Sequence, residues 1–180
     1  MKTYIALFRV INVGGNSILS MKELAALLGN LDCHNVKTYI QSGNAVFQSD
    51  ADCASLLSSR ISAEIKRRHG FEPRVLLLSI KDLEKAVESN PFPEAESEPK
   101  SLHVNFLASV PENPDLKALE NLRKESERFE LRGNLFYLHA PEGIGRSKLA
   151  ANAERLLGVP MTGRNWRTVC KIMAMAKEYI

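Results

Sequence analysis

Cysteine is scarce in this sequence, and its placement excludes two classes of small protein. The 180 residues contain three cysteines, Cys33, Cys53 and Cys170, an odd number without any CxxC spacing. Neither a disulfide framework nor a thiolate metal site fits this pattern. Unpaired thiols are typical of a reducing compartment, so we expect a cytoplasmic location.

Long apolar runs are absent as well. No stretch approaches the roughly 20 apolar residues that a membrane-spanning helix requires, so we expect no membrane association. The N-terminal residues MKTYIALFRV carry one lysine and then a β-type pattern without a small-residue cleavage site. This pattern predicts a strand and not an export signal.

The motifs of known catalytic and cofactor sites are also missing. The four histidines, His34, His69, His103 and His139, show neither HxxxH nor HxH spacing, which argues against a metal site. The sequence has no GxSxG elbow, no glycine-bounded pair of carboxylates and no phosphate-binding or dinucleotide fingerprint. We therefore identify no cofactor and no catalytic constellation, and whether the protein is an enzyme stays open.

What the chain does contain is the composition of a folded protein with unevenly distributed charge. Hydrophobic residues make up 44% and charged residues 25%, which is ordinary for globular proteins. The two ends of the chain are basic and the middle is acidic. Such asymmetry fits either an anionic partner or ordinary solvated helix faces.

Residues 1–80 predict a ferredoxin-like half. A strand at 3–10 is followed by a helix that Ser20 and Glu23 open as a capping box. Strands at 36–40 and 44–49 flank a turn at Ser42 and Gly43, and a helix at 52–69 precedes a buried strand after Pro73. The order βαββαβ is that of the ferredoxin-like fold and of the RNA-recognition motif (RRM).

The remainder predicts a linker and a related second half. Residues 81–100 contain a short helix, opened by Ser79 and Asp82, and a segment rich in Pro and Glu. Residues 101–180 form a second α+β domain: a strand, a helix capped at Asn113 and Pro114, two strands around the turn at 132–134, and two final helices without a final strand. We therefore predict an α+β protein whose βαββ-αα C-terminal half follows a βαββαβ N-terminal half, in two sheet-and-helix layers. The matching turns SGN and RGN suggest a weak internal duplication.

Four segments carry a resemblance to a known family: FRVINVGGN (8–16), TYIQSGNAVF (38–47), GRSKL (145–149) and TGRNWRTV (162–169). Together they resemble the bacterial DUF1697 family, a family without an established activity, over essentially the whole chain. The resemblance implies a two-part α+β fold and nothing about the substrate. The family pattern reads R-G-I-N-V-G-G, and here Val10 replaces the first glycine.

Two polar motifs are expected to meet at one edge of the first sheet. The first and third strands of a ferredoxin-like half are adjacent and antiparallel, so the end of one lies beside the start of the other. A ligand site is therefore predicted at Arg9, Asn12, Gly14, Gly15, Gln41, Ser42 and Asn44. Amides, glycine N–H groups and a guanidinium suit an anion or a nucleobase edge. The alternative is that the amides only close their own turns.

A second group of predicted ligand-binding residues lies near the C-terminal helices. Arg146, Lys148 and Arg164 come close to predicted helix starts, where cations oppose the helix dipole. A phosphate between the positive groups would explain this placement, and so would ordinary surface arginines. We include Lys148, Arg164 and Asn165 in the site; Asn165 serves alternatively as a helix cap. Trp166 fits the apolar stripe of its helix, which predicts core packing.

The aromatic residues of the first strand allow a third type of surface. Strand parity places Tyr4 and Phe8 on the face opposite Ile5 and Leu7. If Ile5 and Leu7 face the helices, the rings point outward, where Tyr39 and Phe47 would join them as a base-stacking surface. A second half packed on that face would bury the same rings instead.

These observations leave three hypotheses about function. The first is a binding module for a phosphate-bearing ligand, either a nucleic acid or a phosphorylated small molecule such as a nucleotide. The second is a small-molecule enzyme with its site between the two halves. The third is a protein-interaction module that uses the outward aromatic residues.

Overall fold

Two four-stranded antiparallel sheets and six α-helices make up the chain, which a computed structural model describes over residues 1–180. The first elements are β1 (Lys2–Arg9), α1 (Met21–Gly29), β2 (His34–Tyr39), β3 (Asn44–Ser49), α2 (Ala54–His69), β4 (Arg74–Ser79) and α3 (Ile80–Glu88). After a 3₁₀ helix (Pro93–Ser97) come β5 (Leu102–Leu107), α4 (Leu116–Leu122), β6 (Arg128–Arg132), β7 (Leu135–His139), α5 (Lys148–Leu157), β8 (Met161–Asn165) and α6 (Trp166–Lys177). None of the six α-helices combines the length and the apolar character needed to cross a bilayer.

The chain divides into two units. Unit 1 comprises Met1–Lys85 together with the C-terminal residues Lys171–Ile180, and unit 2 comprises Ala86–Cys170. The divisions fall within α3 and α6, so each of these helices belongs partly to both units.

The first sheet has the strand order β2-β3-β1-β4, with all neighbours antiparallel. The pairing of β1 with β3 runs from Lys2 opposite Ser49 to Leu7 opposite Asn44. The end of β1 therefore lies beside the start of β3, as the sequence predicted. On its other side, β1 ends with Arg9 opposite Arg74 of β4.

Polar side chains start the helices largely where the sequence predicted. The Ser20 hydroxyl accepts the Glu23 N–H at 3.1 Å and the Glu23 carboxylate accepts the Ser20 N–H at 3.2 Å, which confirms the capping box of α1. The prediction for α4 was wrong. Its N-cap is Asp115, whose carboxylate accepts the Ala118 N–H at 2.9 Å, instead of Asn113 and Pro114. The carboxylate takes that role because it satisfies an N–H group that the first helical turn leaves unpaired.

The core of unit 1 contains the aromatic rings of the sheet. Tyr4, Phe8 and Phe47 are buried in one apolar cluster with the leucines of α1 and the isoleucines of α2. The condition for outward-facing rings, that Ile5 and Leu7 face the helices, is therefore not met: Tyr4 and Phe8 face α1 and α2, and they are buried by these helices and not by a second half. The alternation of faces along β1 was correct. It could not indicate which face meets the helices, because Ile5 and Leu7 are buried as well.

The second sheet has the order β6-β7-β5-β8 and the same antiparallel pairing. The predicted absence of a final strand was wrong, because β8 pairs with β5 from His103 opposite Asn165 to Leu107 opposite Met161. The C-terminal half is thus βαββαβ followed by α6, and not βαββ-αα. The segment Met-Thr-Gly-Arg-Asn has little intrinsic strand preference, so its pairing with β5 determines its structure.

The residues that follow α6 contact β2, the edge strand of the first sheet. Lys37 of β2 forms an ion pair with Glu178, and the Tyr179 hydroxyl donates to the Asn35 carbonyl. The Lys37 ammonium also lies 5.3 Å from the centre of the Tyr179 ring. At the start of α6, Trp166 is buried, which confirms the predicted core packing.

Candidate functional site

Asn12 joins the two polar motifs of unit 1. Its Nδ2 donates to the Leu19 carbonyl at 2.7 Å and to the Gln41 carbonyl at 2.8 Å, and its Oδ1 accepts the Leu19 N–H at 2.8 Å. The predicted convergence of the two motifs is confirmed by this contact. We call the surface formed by residues 9–19 and 40–44 the loop edge.

Gly14 and Gly15 form a tight turn at the tip of the loop edge. Both have positive φ, at 66° and 75°, and Val13 and Asn16 on either side form an isolated β-bridge. Two successive positive φ values are required by a type I′ turn, which glycine adopts without steric cost. The double glycine is thus explained by the turn, and the turn leaves both residues exposed.

Gly43 allows the second motif to approach β1 closely. Its φ is 88°, and a Cβ at this position would lie 2.4 Å from Ile11 Cδ1 and 2.8 Å from Phe8 Cβ. The Phe8 N–H donates to the Gly43 carbonyl at 2.9 Å. No side chain larger than hydrogen fits here, and the close approach fixes the exposed residues Gln41 and Ser42 next to the loop.

The loop edge presents four backbone donors that form no hydrogen bond within the chain: the N–H groups of Gly14, Gly15, Gln41 and Ser42. All four residues are exposed. Backbone N–H groups that face outward from turns attract anions because they carry fixed partial positive charges.

Two arginines lie side by side at the same sheet end. Arg9, predicted as a site residue, is the cross-strand neighbour of Arg74, whose role the sequence reasoning missed. Directly opposed residues place their side chains on the same face, and like charges in that arrangement repel each other. Only knowledge of the strand register would have indicated Arg74.

The two predicted asparagines position the backbone. Asn44 is buried and its Nδ2 donates to the Tyr39 carbonyl at 3.0 Å, while the three hydrogen bonds of the Asn12 side chain go to the backbone. The alternative that these amides close their own turns therefore holds for Asn12 and Asn44. Arg9, Gly14, Gly15, Gln41 and Ser42 stay predicted contact residues.

The remaining predicted site residues belong to unit 2. Lys148 is exposed at the first position of α5, and Arg164 lies in β8, where its Nη1 donates to the Gly163 carbonyl at 2.8 Å. Burial lowers the pKa of the Arg164 guanidinium to about 10. The Asn165 Oδ1 accepts the Thr168 N–H at 2.9 Å, so Asn165 acts as the cap of α6.

Unit 2 contains a charged cluster that sequence reasoning did not identify. Arg128 forms an ion pair with Glu94, lies 4.6 Å from the centre of the Phe92 ring, and its Nη2 is 3.0 Å from His139 Nδ1. Burial lowers the pKa of His139, and the positive charge of Arg128 acts in the same direction. The residues come from three separate segments, so no local motif signals the cluster.

Nucleophilic and metal-ligating side chains do not assemble into a centre. No group of three or more His, Cys, Asp or Glu side chains is arranged to hold a metal ion, and the three cysteines are free. Burial raises the pKa of Cys33 to about 11. Cys53, at the start of α2, has a lowered pKa, chiefly because the Ser55 hydroxyl lies 3.1 Å from its sulfur.

These features define a class: an α+β protein of two four-stranded antiparallel sheets, whose first unit carries an exposed edge of turns, backbone donors and arginines. Residues 1–137 match the family model described as "Protein of unknown function (DUF1697)". The chain belongs to this family.

One solved structure extends the similarity beyond the matched residues. A conserved bacterial protein from Streptococcus pneumoniae superposes with a TM-score of 0.64 at 28% sequence identity, over 97% of this chain and 98% of that chain. No curated protein matches the chain.

Proposed function

We propose that this protein is a binding module for a phosphate-bearing ligand, either a nucleic acid or a phosphorylated small molecule, and that the loop edge is its contact surface. The observation that carries the proposal is the set of four exposed backbone N–H groups in the loop edge, whose first residue, Arg9, is the cross-strand neighbour of Arg74. An anion bound there would accept hydrogen bonds from the N–H groups and be attracted by the positive charges of Arg9 and Arg74.

The roles of the predicted residues follow from their contacts. Gln41 and Ser42 contact the ligand together with the Gly14 and Gly15 backbone, whereas Asn12 and Asn44 hold the two motifs in place. Lys148, Arg164 and Asn165 belong to unit 2, where Lys148 is the most exposed of the three and stays a candidate for a separate phosphate contact.

The test is fluorescence anisotropy with labelled 12-nucleotide single-stranded RNA and DNA, and competition by ATP and pyrophosphate. The binding constant should fall as the salt concentration rises. For single strands, a plot of the logarithm of one against the logarithm of the other should have a slope of about −0.7 per phosphate contact. Arg9→Gln and Arg74→Gln should each remove about one phosphate contact, which makes the salt slope less steep and lowers the affinity several-fold. Lys81→Gln removes an exposed positive charge next to the opposite end of β1, where Ser79 pairs with Tyr4, and is the matched control. An equal loss in the control, or no binding of any probe at low salt, would reject the proposal.

A second candidate is a protein-interaction module that uses the same surface. Four aliphatic side chains of the loop edge are exposed: Val10 at 59%, Val13 at 59%, Ile18 at 68% and Ile40 at 46%. Contiguous exposed apolar side chains are typical of protein-binding surfaces. This function would give binding with little salt dependence, which the same salt titration distinguishes from phosphate recognition.

We also propose that unit 1 is a ferredoxin-like domain and that unit 2 repeats its topology. The support is the shared βαββαβ order and the corresponding strand orders β2-β3-β1-β4 and β6-β7-β5-β8. The predicted domains 1–80 and 101–180, with a linker at 81–100, differ from units 1 and 2 chiefly in the C-terminal residues Lys171–Ile180, which belong to unit 1.

A further inference from the structure

A groove of about 580 Å³ lies in unit 2, at the sheet end where β5 begins and β7 ends. Its wall consists of a segment around Glu98, Pro99 and Lys100, the turn at Ala140 and Pro141, and Arg167 of α6. The volume is within the range of about 300–1,000 Å³ that is usual for small-molecule sites. None of these residues belongs to the loop edge.

The backbone of the groove is held in place before any ligand binds. The Ala140 N–H donates to the Ser101 carbonyl at 2.8 Å, and the Ser101 hydroxyl donates to the Glu98 carbonyl at 2.7 Å. The Arg167 N–H points to the Pro99 carbonyl at 3.4 Å, which connects α6 to the same wall. A preorganised wall loses little conformational entropy on binding.

Three charged side chains in the groove form no ion pair within the chain: Glu98, Lys100 and Arg167. All three are exposed. The neighbouring charges of Glu94 and Arg128 are paired with each other. The groove therefore combines one negative and two positive side chains, all available to a ligand, with the apolar surface of Pro99 and Pro141.

We propose that this groove binds a small zwitterion with an apolar body, of the amino-acid or dipeptide class. Arg167 and Lys100 bind the carboxylate, for which the planar guanidinium offers two parallel N–H donors. Glu98 binds the ammonium group, and the apolar side chain of the ligand covers Pro99 and Pro141. Unpaired charges of both signs around an apolar surface match such a ligand, whereas a purely anionic ligand would be repelled by Glu98.

The proposal is tested by isothermal titration calorimetry and ligand-observed NMR on the full chain. The probes are the dipeptides Leu-Trp, Leu-Leu and Ala-Phe, each with free termini, with an acetylated N-terminus, and as the C-terminal amide. We expect at least one free dipeptide to bind and each blocked form of it to bind about tenfold more weakly, because each has lost one charge-assisted contact.

Two variants assign the termini to side chains. Arg167→Gln should weaken binding of the free and acetylated peptides and leave the amide unaffected. Glu98→Gln should weaken binding of the free peptide and the amide and leave the acetylated form unaffected. Lys177→Gln removes an exposed positive charge elsewhere on α6 and should change nothing.

Circular dichroism of each variant verifies that it is folded. Binding of every probe with equal affinity, an equal effect of Arg167→Gln on all three forms, or no binding of any dipeptide at millimolar concentration would overturn the proposal. The loop edge is not altered in these variants, so the result is independent of the proposed phosphate-binding function.

Discussion

Single residues of the loop edge hold backbone conformations that their side chains disfavour. Val10 has a φ of 63° and Ile40 a φ of 49°, and both are β-branched. A β-branched residue in the left-handed region is a genuine outlier, which costs on the order of 1–2 kcal/mol. Such strain persists only where the surrounding contacts impose it. Here those contacts include the buried Ile11 and the hydrogen bonds of Asn12.

Replacing Val10 with glycine should therefore stabilise the protein. The Val10 side chain is 59% exposed, so little packing is lost, and glycine adopts positive φ freely. After the larger entropy of glycine in the unfolded state is subtracted, we expect the free energy of unfolding to rise by about 0.5–1 kcal/mol. Urea denaturation monitored by circular dichroism measures the change.

Val13 provides the matched control for that substitution. It is equally exposed at 59% but does not have positive φ, so Val13→Gly should lower the free energy of unfolding. If the two variants shift stability in the same direction, backbone strain at Val10 is not the cause.

The residues of the site differ in how far the sequence could predict them. The convergence of Asn12 with Gln41 followed from strand order, because antiparallel neighbours bring the end of one strand to the start of the next. Arg74 could not be predicted, because its place beside Arg9 depends on a register that no local pattern specifies. The inward direction of Tyr4 and Phe8 depends on which face the helices cover, and apolar residues on both faces leave that undecided.

At the scale of elements, the capping motifs of α1 and α5 were predictable, whereas the cap of α4 and the strand β8 were not. Ser20 and Ser147 start α1 and α5 through bonds to residues only three positions away, which a local sequence specifies completely. β8 exists because of a long-range pairing in which Gly163 lies opposite Asn105. The Asn105 side chain occupies the space above Gly163 and donates to the Phe136 carbonyl at 3.1 Å.

Gly163→Ala should consequently disrupt β8. A Cβ at this position would lie 2.3 Å from Asn105 Oδ1, so the buried amide would have to move and lose its bond to Phe136. We expect a loss of about 1–3 kcal/mol in the free energy of unfolding, measured by urea denaturation.

Two further variants identify the cause of that loss. Gly145→Ala introduces a Cβ with no atom within 4 Å and should be tolerated. On an Asn105→Ala background, the effect of Gly163→Ala should largely disappear because the obstructing side chain is gone. An undiminished effect in the double variant would mean that Asn105 is not the obstacle.

At the scale of the whole molecule, two partly buried histidines, His103 and His139, link stability to pH. Burial lowers the pKa of His103 below its ordinary value of 6.5, although a hydrogen bond with the Lys100 backbone acts in the opposite direction. Burial also lowers the pKa of His139. In both cases the unfolded chain binds a proton at a higher pH than the folded chain does. Acid therefore favours the unfolded state as the pH falls below about 6.5.

A carboxylate acts in a separate, lower pH range. The side chains of Arg67 and Arg68 donate hydrogen bonds to Glu64 and lower its pKa to about 2. Glu64 releases its proton more readily in the folded chain than in the unfolded chain. Its contribution to stability is therefore present above pH 4.5 and is lost as the pH falls toward 2. A loss of stability between pH 7 and pH 5 is consequently a property of the histidines and not of Glu64.

We therefore expect the free energy of unfolding to decrease between pH 7 and pH 5, and His103→Phe to remove part of that decrease. His103 Nε2 is buried without a hydrogen-bond partner, so phenylalanine eliminates both an unsatisfied polar atom and a titrating group. Urea denaturation at half-unit pH intervals gives the slope for each protein. His34→Gln, at an exposed position of β2, should keep the wild-type slope. If His103→Phe keeps it too, protonation of His103 does not contribute to the acid sensitivity, and His139 is the group to replace next.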